Sequence, residues 1–390
     1  MQEIFFLLLP VAALYGWYMG VRSVHQNKQK KGNKLSRDYV QGLNFLLSDQ
    51  PDKAVDHFIA LLEVDSETIE THLALGNLFR QRGEVDRAIR IHQNLIARPS
   101  LTREQRDLAL VQLGKDFYQS GLFDRSEKIF IKLKESPEYQ QVALENLLNI
   151  YQQLKEWQEA IFVTQRLNKL MTGKNNNRTL SYLYCCLADD IGTPLDIKKK
   201  VLLYKKALST YPACIHAILA LSDYYLGQQK NTKALQILES VIEHDIDFIE
   251  VILPRLLYLH QLLDSEEHFI HDLYHIVSLG GGTSSVIMLA GLVAKYQSDK
   301  TAQKFMLQEL RRNPTMKGFN QLMHYHLHLA ESNSEKERLM FLQNLVAEQI
   351  KRRPKYNCNK CGYSSKKIYW QCPSCKEWGR IKPIKGLDGE

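Results

Sequence analysis

The last forty residues hold four cysteines in two pairs: Cys358-Asn-Lys-Cys361 and, after ten residues, Cys372-Pro-Ser-Cys375. A CxxC pair can turn tightly and offer two thiolates to one cation. Four such sulfurs in tetrahedral array suit zinc first and iron second. Gly362, directly after Cys361, allows the positive φ that turns backbone N–H groups toward the sulfurs. A segment this short buries little core, so one bound metal ion is expected to supply much of its folding energy. Tyr363, Tyr369, Trp370 and Trp378 are expected to pack around the site and against the last helices before it. The other cysteines, Cys185, Cys186 and Cys214, are scattered, which is not the framework of a secreted disulfide scaffold.

Other candidate chemistry is sparse. His324, His326 and His328 share one stretch, and His268, His271 and His275 follow a helical face. No HExxH is present and nearby carboxylates are not at ligand spacing, so these read as packing or surface histidines. There is no GxSxG, no kinase set and no nucleotide loop. Three glycines in SLGGGTSS (278–285) lack a following Lys-Ser/Thr and a preceding strand, so they read as a longer turn or hinge, not a phosphate loop. No catalytic or organic-cofactor residue is expected.

The elements that must carry the four cysteines repeat. Gly42 and Gly76, Phe45 and Phe79, and Ala54 and Ala88 each lie 34 residues apart. Leu75-Gly76, Phe79, Gly83, Ala88 and Pro99 occupy tetratricopeptide-type positions. A further unit follows a four-residue insertion at Gly114, Phe117, Gly121, Ser126 and Phe130, and another at Tyr151 and Ala160. Later units are worn but in phase: Tyr204, Ala207 and Pro212; Leu221, Tyr225 and Ala234; Ala302 and Pro314. The unit between, from Leu256 to His275, keeps mainly its apolar pattern. Each unit reads as a helical hairpin that buries its apolar face only by stacking on its neighbours. Such stacks bind extended peptides or protein partners. Residues 173–179 (GKNNNRT) read as a polar loop.

The ends differ from this body. Of 390 residues with net charge +8, residues 351–390 carry eleven Lys/Arg against Glu377, Asp388 and Glu390, which is the whole surplus. Six more basic residues and no acid lie at 22–37, leaving a mildly acidic middle. A protein-wide nucleic-acid surface is therefore not expected. Ile4 to Val21 is an uncharged run of eighteen residues, about 27 Å as a helix, ending in Tyr15, Trp17 and Tyr18 ahead of the basic stretch. It reads as an uncleaved membrane anchor with the following chain in the cytoplasm, since a signal peptide would carry its charges in front.

The expected fold class is thus all-α: a tetratricopeptide-repeat superhelix with an N-terminal transmembrane helix and a small C-terminal metal-binding domain. The expected divisions are an anchor at 1–21, a basic linker at 22–37, about eight or nine repeats over 38–350, and the four-cysteine module at 351–390, which could cap the array's open end.

The CxxCGY and CPxC knuckles resemble rubredoxin-like domains, with Lys376 where a glycine is usual and a short spacer. The whole chain resembles the lipopolysaccharide assembly protein B family of Gram-negative bacteria. The stretches that carry the resemblance are LLLPVAALYGWYMG ending at Gly20, LSRDYVQGLNFLLSDQPDKAVD (35–56), LGNLFRQRGEVDRAIRIHQNL (75–95) and the cysteine segment 356–389. The resemblance implies a single-pass protein of the bacterial inner membrane, held by residues 1–21, with its bulk facing the cytoplasm. It implies a non-enzymatic adaptor that promotes degradation of the lipid A-committing deacetylase by the membrane protease FtsH and associates with other lipopolysaccharide assembly proteins. Cys358, Cys361, Cys372 and Cys375 would then be the metal ligands. A homo-oligomer is compatible with the sequence, which does not fix the oligomeric state. Two other classes remain open on the residues alone: RNA binding by the basic ribbon with Tyr369, Trp370 and Trp378, and electron transfer through iron.

Overall fold

The computed structural model describes residues 15, 17–19, 40–45, 52–54, 56–57, 69–99, 101–170, 176–192 and 196–389. Most of the expected anchor, all of the basic linker and residues 173–175 of the expected polar loop lie outside them. No helix among the described residues is long and apolar enough to cross a membrane. The chain forms two compact units, 1–154 and 155–390.

The first unit contains α1 (Ile69–Gln81), α2 (Val85–Ile96), α3 (Arg103–Gln119), α4 (Phe123–Leu133) and α5 (Gln140–Leu154). Phe79 of α1 is buried against Ala88 and Ile91 of α2, with Ala54 and Phe45 on its other side. The four-residue insertion sits before α3. There Thr102 and Gln105 form a reciprocal capping box, the Thr102 hydroxyl accepting from the Gln105 N–H at 3.3 Å.

The hairpin turn is the same chemistry in both units. The Glu84 N–H donates to the Phe79 carbonyl at 2.9 Å and the Leu122 N–H to Phe117 at 2.8 Å. The Lys230 N–H donates to Tyr225 and the Ser265 N–H to His260, each at 2.9 Å. This is the bond of a Schellman stop, and it needs a left-handed residue just before the donor. Gly83 and Gly121 supply it at φ +83° and +79°. In the second unit Gln229 and Asp264 take the same place at +57° and +50°, where a side chain costs about 1–2 kcal/mol. The worn repeats have lost the glycine and kept the geometry.

A buried polar cluster lies in the first unit. His92 and Asp116 are fully buried and hydrogen-bonded through Nδ1, and the Arg80 guanidinium bonds the other Asp116 oxygen at 2.8 Å. His92 reaches this place over Gly76, where an added Cβ would fall 2.4 Å from the imidazole. Asp116→Ala would leave the buried His92 Nδ1 without its partner, while Arg80 keeps Asn77 and Gln112. We expect a loss of about 1–3 kcal/mol, seen as faster amide exchange across α1–α3.

The second unit holds α6 (Trp157–Leu170), α7 (Asn177–Asp189), α8 (Ile197–Thr210), α9 (Ile215–Gly227), α10 (Asn231–His244), a 3-10 turn (Ile246–Phe248), α11 (Ile249–Leu262) and α12 (Glu266–Ser278). It continues with α13 (Gly282–Tyr296), α14 (Asp299–Arg312), α15 (Met316–Leu329) and α16 (Asn333–Arg352). One apolar core runs from Ile215 on α9 to Tyr325 on α15. The expected hinge at 278–285 is instead a three-residue stop: α13 begins at Gly282, and the Gly281 N–H donates to the Ile276 carbonyl at 2.9 Å. A Cβ on Gly281 would lie 2.8 Å from that carbonyl oxygen, so glycine here serves a close approach, not mobility. After α16 come three short antiparallel strands, β1 (Tyr356–Cys358), β2 (Ser364–Ser365) and β3 (Ile381–Pro383), in the order β2-β1-β3.

Candidate metal centre

The ribbon brings the four sulfurs of Cys358, Cys361, Cys372 and Cys375 within 4.8 Å of one another. The closest approaches cross between the two CxxC pairs, Cys358 to Cys375 at 3.7 Å and Cys361 to Cys372 at 3.6 Å. A tetrahedron with metal–sulfur bonds of about 2.3 Å has edges of about 3.8 Å. A disulfide would need sulfurs at about 2.05 Å. The spacing therefore fits four thiolates around one ion.

Two matching turns produce it. The Gly362 N–H donates to the Cys358 carbonyl and the Lys376 N–H to the Cys372 carbonyl, both at 2.9 Å. In return the Cys358 N–H donates to Tyr363 at 2.8 Å and the Cys372 N–H to Glu377 at 2.9 Å. Gly362 stands at φ +76° and Lys376 at +59°. Lys376, where a glycine is usual, thus accepts the left-handed conformation that the knuckle demands. The thiols do not ionise alike. The Tyr363 N–H holds Cys361 down at about 6, and burial pushes Cys375 up to about 12. Adjacent thiolates repel one another unless a cation lies among them.

The ribbon sits on the repeats of its own unit. Trp378 stacks on Tyr182 of α7 with ring centroids 5.6 Å apart, and Trp370 stacks on His216 of α9 at 5.2 Å. Gly379 passes so close that a Cβ would fall 2.7 Å from the Tyr182 hydroxyl. Lys382 of β3 reaches Asp245 at 2.8 Å and Asp247 at 2.9 Å beside the 3-10 turn. Lys385 meets Asp247 as well. At the tail, the Met316 N–H at the start of α15 donates to the Leu387 carbonyl at 2.9 Å.

Two expectations are corrected here. The tryptophans pack on α7 and α9, far back in the chain, not on the last helices. The ribbon does not close the array's end: α16 has no buried residue, and Met340, Phe341, Leu342 and Leu345 on it are exposed. With Trp378 buried and Trp370 stacked, Tyr369 alone of the three aromatics is exposed, which removes the base-stacking surface that the RNA alternative required.

Residues 356–383 match the family described as rubredoxin metal binding domain, and residues 71–106 match the tetratricopeptide repeat. The crystal structure of the MamA protein aligns with 47% of this chain and 95% of its own, at 21% identity and a TM-score of 0.34. Lipopolysaccharide assembly protein B of Escherichia coli (strain K12) is 44% identical over 390 residues, covering 100% of both chains. The protein of that name from Haemophilus influenzae is 41% identical over 397 residues, again covering both in full. The chain belongs to the lipopolysaccharide assembly protein B family. Its relatives are named as assembly proteins, and its repeat body is a scaffold without enzymatic chemistry.

In this family member the seat of the ribbon was not visible in the sequence. Tyr182, His216, Asp245 and Asp247 lie among worn repeats, and Lys382 looks like one more basic residue of the tail. The Asp-Ile-Asp step at 245–247, acidic and placed between two helical patterns, was the available signal. The three cysteines read as scattered also converge in part, with Cys185 and Cys214 sulfurs 3.7 Å apart in the core.

The seat is electrostatic as well as aromatic. Burial works against the Asp247 charge, but the hydrogen bonds from Lys385 and Lys382 outweigh it and lower its pKa. Burial likewise opposes the Lys382 charge, and Asp245 and Asp247 more than restore it, so its pKa is raised. A lowered acid stabilises above its unfolded value, about 3.9, and loses the effect as pH falls through its folded value. A raised lysine stabilises below about 10.4 and loses the effect as pH rises through its folded value. Asp247→Asn is expected to cost about 1 kcal/mol at pH 7, the carboxylate being partly exposed. Its difference from the parent protein should begin to shrink near pH ~4 and vanish once pH falls below the lowered folded value. Taking that difference in denaturant midpoints removes the thiolate titration common to both proteins.

Proposed function

We propose that this chain is a membrane-tethered adaptor in lipopolysaccharide assembly. Its relatives of the same full length are named for lipopolysaccharide assembly, and the observation that carries that part of the reading is 44% identity across 100% of both chains. Residues 1–21 are the tether in the bacterial inner membrane, with 22–37 a basic linker on its cytoplasmic side. Residues 38–350 are the repeats that hold protein partners, and 351–390 are the metal module. Confinement at the bilayer raises the effective concentration of the repeats toward membrane proteins. The partners are the membrane protease FtsH, the lipid A-committing deacetylase and other lipopolysaccharide assembly proteins.

Cys358, Cys361, Cys372 and Cys375 hold one ion, zinc before iron. The crossed sulfur spacings of 3.6 and 3.7 Å support this ligand set. Bound there, the ion supplies folding energy to a ribbon too small to hold itself. Tyr182 and His216 offer the flat faces on which the ribbon rests, and Asp245 and Asp247 fix its register through Lys382. The test is the half-life of the deacetylase after translation is stopped. Deleting this protein should lengthen it, and restoring the full chain should shorten it again. An unchanged half-life contradicts the adaptor reading.

A further inference from the structure

A second cluster of ligand-type side chains lies outside the ribbon and uses none of its residues. One carboxylate oxygen each of Glu239 and Asp272 and one ring nitrogen of His260 lie within 4.8 Å of one another. They come from three successive helices, α10, α11 and α12. His260 stands where the other hairpins place Phe79, Phe117 and Tyr225, as the shared turn bond shows. It is 1% exposed and stacks on Phe269 at 4.7 Å. Phe269 follows its left-handed turn residue by five, as Ala88, Ser126 and Ala234 do in their own units. This repeat has exchanged a large apolar ring for an imidazole on one helix and a small residue for a ring on the next.

The tautomer of that imidazole follows from its neighbour. Ser265 Oγ lies 2.9 Å from His260 Nδ1, and its hydroxyl donates to the His260 carbonyl at 3.4 Å. With its proton so directed, the serine oxygen accepts from Nδ1–H, which leaves the lone pair on Nε2. This is how metal-binding histidines are commonly oriented. Burial disfavours the imidazolium form of His260, and burial with the Asp272 charge disfavours the Glu239 carboxylate. The three groups converge without a compensating positive charge among them, which a bound cation would supply. His268, one turn before Asp272, has Nε2 3.8 Å from the Asp272 carboxylate and is exposed enough to swing in as a fourth ligand.

We infer that Glu239, His260 and Asp272 form a binding site for zinc or a similar first-row divalent ion, joining α10, α11 and α12. Nitrogen and oxygen donors without thiolate suit such ions and not copper(I) or an iron–sulfur centre. The inference goes beyond the adaptor reading and stands apart from it, because no ribbon residue takes part.

The test uses the full-length, untagged protein with its ribbon loaded as isolated. It is dialysed against buffered free zinc, and metal per chain is measured by emission spectroscopy. The parent protein should take up a second equivalent. His260→Gln and Asp272→Asn should each lose that equivalent and keep the ribbon's. Asp272 is only half-buried, so its variant serves if His260→Gln does not fold. Cobalt as the probe should add visible bands without thiolate charge transfer. A single equivalent in the parent protein, or a second one retained in either folded variant, overturns the inference.

Discussion

Chelating the ribbon's ion, or replacing Cys358 and Cys361 together by serine, is expected to unfold residues 356–383 and free Trp370 and Trp378 from the repeats. The ribbon's own core is Cys358, Cys372 and Ile381, with Tyr356 and Tyr363 packed against them. Three strands of two or three residues cannot offset the entropy of ordering the chain around so small a core. Binding of a structural zinc is worth about 10 kcal/mol or more in peptides of this kind. No other interaction in the ribbon approaches that. Two of the four tryptophans lie in the ribbon, so the whole protein's emission should shift to the red and fall in anisotropy. Amide exchange should quicken in α7 and α9 while α1 to α5 keep their protection. Unchanged emission after complete metal removal would show that the ribbon holds by packing alone.

Tyr182→Ala is expected to have the next largest effect, a loss of about 3–5 kcal/mol. Tyr182 is among the largest fully buried side chains, and its ring lies under Trp378 with Trp370 beside it. Removing it opens a cavity in the repeats and takes away the surface on which the ribbon stacks. Gly379→Ala approaches the same contact from the ribbon, setting a Cβ 2.7 Å from the Tyr182 hydroxyl at a residue of φ +61°. The two changes should not add, because the steric conflict disappears once the tyrosine is gone. A double-mutant cycle on denaturant midpoints measures this. Strict additivity would mean that the two residues do not share one interface.

The repeat period could be read where side chains keep their sizes. Gly76, Phe79, Gly83 and Ala88 declare the hairpin of α1 and α2, and the structure places them at its contacts and its turn. The period fades where the same backbone is built from other residues. Gln229 and Asp264 hold the left-handed turn without glycine, and His260 and Phe269 exchange large for small across one hairpin. The four cysteines stood out because two CxxC pairs keep a short fixed spacing along the chain, and the structure gathers their sulfurs within 4.8 Å. The ribbon's seat did not, since Lys382 and Asp245 are 137 residues apart and each is ordinary alone. His260 was likewise hidden. Its companions come from two other helices, and local spacing reveals only the ligands that share one.

Photocrosslinking in intact membranes, with the captured proteins identified, tests most directly whether a tethered scaffold brings two other proteins together. The full chain should capture the deacetylase and the protease in one complex, and a chain lacking residues 1–21 should lose the protease. Equal capture of both without the tether, or capture of neither by the full chain, would contradict it.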